Sequence, residues 1–128
     1  MKKKIIITAS SFGVLAVIAG AFGAHALQEL ISPKNIEVWH TAVQYQFYHV
    51  FALLFLSTLT GFSERLFKVS YYLFTFGIIF FSGSLYLLSC RDLLGWSWLP
   101  VLGPITPIGG LLFIAGWITL GLGAFKNK

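Results

Sequence analysis

Apolar residues fall into four long runs along the chain, at about 5–27, 38–59, 69–88 and 107–125, each bounded by polar, charged or turn-forming residues. About 20 predominantly apolar residues cross the hydrocarbon core of a bilayer as a helix. The pattern therefore predicts an all-α integral membrane four-helix bundle, built as a single transmembrane domain over residues 1–128. No proline interrupts the interior of a predicted helix. Ser32-Pro33 reads as a helix start, with serine as the cap and proline at the first helical position. Thr106-Pro107 reads the same way ahead of the last run.

The second run differs from the others. Its first half carries His40, Gln44, Tyr45, Gln46, Tyr48 and His49. Lipid tails offer no hydrogen bonds, so such groups are costly wherever lipid touches them. Other parts of the chain, or water in a cavity, must cover them. On a helix His40, Gln44 and Tyr48 share one face, Tyr45 and His49 another, and His40 and His49 fall on opposite sides. His25 ends the first run near the level of His40 and Gln44.

Small residues draw two stripes. Ala9, Gly13, Ala16, Gly20 and Gly23 alternate by four and three in the first run, and Gly109, Gly116 and Gly123 recur every seventh position in the last. In membranes such stripes let helix backbones approach closely. Ser82-Gly83-Ser84 marks a third close-packing patch. The predicted helix-packing positions are thus Gly13, Gly20, Gly23, Gly83, Gly109, Gly116 and Gly123. Residues 89–106 break the pattern with Trp96, Trp98, Pro100 and Pro104. They are expected to form an irregular interfacial segment, partly buried in protein, before the last helix.

Composition sharpens this picture. The chain is 57% hydrophobic and only 10% charged, with mean hydropathy +0.83, which is too apolar for a soluble domain of this length. The net charge of +5 does not signal a nucleic-acid site, because the basic residues sit at run ends and form no patch. Lys2, Lys3, Lys4, Arg65, Lys68, Lys126 and Lys128 flank one side of the predicted bundle; Lys34 and Arg91 flank the other. The excess of basic residues places both termini on the cytoplasmic side of the membrane. A single cysteine, Cys90, excludes an internal disulfide and any multi-cysteine metal site.

The candidate chemistry is sparse. Glu29, Glu37, Glu64 and Asp92 all lie in connections or at run ends, so a proton exporter driven by an embedded carboxylate is not expected. No nucleophile–base arrangement, phosphate-binding glycine loop or metal-ligand set stands out, and neither catalytic residues nor a cofactor are predicted. The groups able to bind a ligand are His25, Gln44, Tyr45, Gln46, His49 and Trp117, whose indole N–H near mid-run needs a partner.

Four ordered motifs carry a family resemblance: Gly20-Ala21-Phe22-Gly23-Ala24-His25-Ala26-Leu27, Tyr45-Gln46-Phe47-Tyr48-His49, Phe81-Ser82-Gly83-Ser84-Leu85-Tyr86, and Thr106-Pro107-Ile108-Gly109-Gly110 with Gly116-Trp117. The chain resembles, over nearly its whole length, the YgdD/YwdK-like family of small bacterial membrane proteins, which has a mitochondrial relative in animals. The resemblance implies a four-span inner-membrane protein of unknown function. It draws attention to His25, Gln46 and His49 and away from His40. Two functions are expected to compete. One is a non-enzymatic protein acting through helix–helix contacts, as an accessory subunit or homo-oligomer. The other is a binder or carrier of a small amphiphile, lipid-like or quinone-like, in a polar pocket around His25 and His49.

Overall fold

The computed structural model describes residues 1–125, which contain helices and no strand. Lys126 and Lys128, counted above in the charge asymmetry, lie outside the described residues. The helices are α1 (Lys2–Ala24), α2 (Pro33–Thr58), α3 (Glu64–Ser89), the single-turn α4 (Arg91–Leu94) and α5 (Ile105–Phe125). By length and composition α1, α3 and the Leu99–Phe125 stretch containing α5 can each cross a membrane. At 26 residues α2 is as long as α3, but its polar first half sets it apart.

Local chemistry fixes the helix ends. Ser32 is extended and its hydroxyl accepts the Asn35 N–H at 3.2 Å, with Pro33 opening α2. Ser63 caps α3 in the same way, accepting the Leu66 N–H at 3.4 Å. Gly95, at φ +66°, closes α4 in the left-handed conformation that a side chain disfavours. Two expected ends move. First, α1 stops at Ala24, and a 3₁₀ turn over Leu27–Glu29 follows that buries Leu27. Second, α5 starts at Ile105, so Thr106 lies inside its first turn. The Thr106 hydroxyl is drawn to Ser84 Oγ on α3 instead of capping its own helix.

Packing pairs neighbours in sequence: α1 runs along α2 and α3 along α5, and α2 lies against the second half of α3. The core gathers Ile5 and Ala9 of α1, Leu53 and Leu56 of α2, Phe67, Tyr71 and Phe74 of α3, and Phe113 of α5. Both small-residue stripes are seams within this arrangement. Gly13 and Gly20 face Val50 and Val43, and Gly23 abuts the Trp39 indole. On the other side Gly109 meets the Phe81 backbone, Gly116 the Phe74 ring and Gly123 the Phe62 ring, each too closely for a Cβ. Gly77, which no spacing singled out, is equally tight against Phe113.

Gly83 corrects the expectation of a third patch. No atom lies within 4 Å of a Cβ placed there. The helix widens into a π turn over Ile78–Ser82, and the contacts pass to its neighbours. Ser82 donates to the Ala42 carbonyl on α2 at 2.7 Å, and Ser84 meets Thr106. The irregular segment before α5 exposes the stacked rings of Trp96 and Trp98 and buries Leu99.

Candidate functional site

The polar half of α2 divides between three directions. Gln46 points inward between α1 and α3 and is only 3% exposed. Its Nε2 donates to the Phe12 carbonyl of α1 at 2.7 Å, and its Oε1 accepts the Tyr86 hydroxyl of α3 at 2.7 Å. One side chain thereby ties three helices. Trp39, about two turns before it, donates its indole N–H to the Ala19 carbonyl at 2.8 Å.

His49 points toward α5. The Trp117 indole N–H donates to His49 Nε2 at 3.0 Å. An indole nitrogen is a donor only, so Nε2 carries no proton and Nδ1 must. Nδ1–H then donates to the Tyr45 carbonyl at 2.7 Å. The ring is neutral, both nitrogens are engaged, and it lies flat on Phe113 with centroids 3.5 Å apart and planes 6° apart. Such a histidine has no lone pair free for a metal or a ligand.

The third direction is outward. His40, Gln44 and Tyr48 share one exposed face of α2, continued by Phe51 and Phe55. The side-chain hydrogen bonds formed from α2 involve other residues, and none reaches Gln44 or Tyr48 among the described residues. At ~1.5 Å per residue, Gln44 and Tyr48 sit about 17 and about 23 Å along α2 from its Pro33 end, near the middle of this 26-residue helix.

Two crevices flank the centre. The larger, about 510 Å³, separates α1 from the second half of α3. Leu15, Ile18 and Phe22 form one wall, Ile79 and Tyr86 the other, and Trp39 and Gln46 the back. The smaller, about 370 Å³, lies between α2 and α5 around Tyr45, His49, Phe113 and Trp117. Residues 96–107 line neither.

The sequence-predicted set is therefore not one pocket. Gln46 belongs to the first crevice; Tyr45, His49 and Trp117 belong to the second; His25 and Gln44 are exposed and line neither. The helix rotation between Gln46 and His49 separates them, and the α1–α2 turn carries His25 past the end of the bundle. His25, His40 and His49 do not converge, and no group of three metal-ligating side chains forms among the described residues. Tyr86 and Ser82 escaped notice as connecting residues. Ser82 reads in the sequence as a small packing residue and Tyr86 only as a member of the third family motif.

The protein family of unknown function DUF423 matches residues 19–110. The chain is 42% identical to a UPF0382 membrane protein of Staphylococcus saprophyticus, over 97% of this chain and 98% of that one. It is 40% identical to UPF0382 membrane protein YwdK of Bacillus subtilis, over 97% and 98% of the two chains. It is 35% identical to a UPF0382 membrane protein of Haemophilus influenzae, over 100% and 98%. No solved structure matches.

Proposed function

Because this chain belongs to the DUF423 family, whose named relatives are membrane proteins without an assigned activity, we propose that it serves as a non-enzymatic subunit of a membrane assembly. It spans a bacterial cell membrane four times with both termini cytoplasmic, and it associates through the outward face of α2. The length of α2 and its packing along α1 support the fourth span. The basic residues near the α1 start and in the α2–α3 connection support the orientation.

One observation carries the association. Gln44 and Tyr48 present an amide and a phenol outward from the middle turns of α2, and wherever lipid covers that face both are left without hydrogen bonds. A second helix laid on this face supplies the missing partners. The glycine seams do not support association, since both are occupied within the chain. Self-association is the simplest form. A glutamine amide carries donor and acceptor together, so it can pair with its own copy across a two-fold axis.

The test is crosslinking in native membranes, with cysteine placed at Gln44 or Tyr48 and Cys90 replaced by serine. A disulfide-linked pair is expected at both positions, and Gln44→Leu weakens association by about 1–2 kcal/mol, roughly 5- to 30-fold. Monomer alone, with oxidant and with a bifunctional crosslinker, refutes the proposal.

A further inference from the structure

The larger crevice has two features that helix packing does not explain. The first is its shape. Near their cytoplasm-facing ends α1 and α3 are joined, through Thr8 Oγ1 and the Tyr71 hydroxyl at 2.8 Å and through Lys4 Nζ donating to the Tyr72 hydroxyl at 3.2 Å. From Phe12 onward they part, leaving the gap of about 510 Å³, within the range of small-molecule sites. The second is Gly83 on the α3 wall. A glycine inside a helix weakens it, and here it makes no close contact in return. What its missing side chain provides is open space in the crevice.

The back wall holds unused hydrogen-bonding capacity. An amide has two N–H donors and a carbonyl with two lone pairs. Gln46 uses one of its two N–H groups on Phe12 and one lone pair on Tyr86. One N–H of Gln46 and the lone pairs of the Tyr86 oxygen are left without a partner. The walls are apolar and no charged residue lines the gap, so a charged headgroup would be stranded there.

We propose that this crevice binds one neutral, long-chain amphiphile whose carbonyl accepts the free N–H of Gln46, its chain lying between α1 and α3 beside Gly83. A glyceride ester and a quinone both present that chemistry. The site is independent of the association face, since Gln46 and Gln44 point to opposite sides of α2.

The experiment uses the full chain extracted in mild detergent from its own membranes. Native mass spectrometry reads the bound mass, and solvent extraction identifies it. A near-ultraviolet band bleached by borohydride marks a quinone; its absence with a glyceride mass marks an ester. Wild type is expected to carry one such molecule per chain, and Gly83→Phe, which fills the space without touching a hydrogen bond, to lose it by about tenfold or more. Leu15→Trp narrows the gap from the facing wall and gives the same loss should Gly83→Phe fail to fold, which circular dichroism reports. Wild type free of neutral lipid, or equal retention by a folded crevice-filling variant, overturns the proposal. Phospholipid carried equally by all variants does so as well.

Discussion

Alanine at Gly109 and at Gly83, introduced separately, makes the glycine seam quantitative. Both residues sit inside helices, where alanine is intrinsically favoured by about 0.5–1 kcal/mol. Their surroundings are opposite. A Cβ on Gly109 would lie 2.7 Å from Phe81 Cα and 2.8 Å from Phe81 Cβ, against 3.4–4 Å for ordinary contact, and closer still to the Phe81 nitrogen. Backbone atoms cannot rotate aside as a flexible side chain can, so α5 must retreat from α3 by roughly 1 Å at that level. Overpacking of this kind costs about 1–3 kcal/mol, and the retreat also loosens the fit of Gly116 on Phe74. After the propensity gain, Gly109→Ala destabilises by about 1–2 kcal/mol. Gly83→Ala meets no atom within 4 Å and stabilises by up to about 1 kcal/mol. Reversible unfolding in mixed micelles, followed by circular dichroism, separates the two variants by about 2 kcal/mol or more. Equal effects at both positions refute the reasoning, because they mean that close approach at Phe81 does not limit stability.

Two further outcomes follow from the polar contacts and the topology. A double-mutant cycle on His49→Phe and Trp117→Phe gives a coupling of about 1 kcal/mol, as for hydrogen bonds between membrane helices; a coupling within error of zero removes the His49–Trp117 bond from the account. A cysteine at Lys34 reacts with an impermeant maleimide added outside intact cells, whereas one at Arg65 reacts only after permeabilisation. Labelling of both from the outside refutes the four-span topology.

Much of the architecture was written in one-dimensional pattern. Apolar runs and small-residue spacing report on a helix and its immediate partner, and both are properties of consecutive residues. Thus the α1 and α5 stripes could be read directly, and each faces the long helix next to it in sequence. The exceptions arise where geometry departs from the regular helix. Gly83 looked like packing because the π turn over Ile78–Ser82 is invisible to a regular period. Gly77 looked ordinary because a single glycine makes no pattern, though its contact with Phe113 is among the tightest.

The polar residues of α2 were legible as a set but not as a site. Sequence spacing assigns Gln46, His49 and Gln44 to different faces, yet it cannot say which face meets α1, α5 or lipid. That depends on how α2 and α3 dock, a long-range matter decided by Ser82 against Ala42 and Tyr86 against Gln46. His25 looked central because the family motif contains it; in the fold it lies beyond the last turn of α1 and is exposed.

The division of contacts bears on how such a chain is made. Within each pair of sequence neighbours, α1 with α2 and α3 with α5, glycine seams bring the backbones together. Between the pairs lie the shared apolar core and a set of side-chain bonds, Thr8 to Tyr71, Ser82 to Ala42, Tyr86 to Gln46 and Trp117 to His49, with no glycine seam among the described residues. The first hairpin can therefore complete its own close packing while the second is still being synthesised. Cutting the connection between Thr60 and Gly61 would interrupt neither seam. Two genes encoding the halves, expressed together, would yield fragments that find each other in the membrane, as though the polypeptide were two subunits sharing a tether.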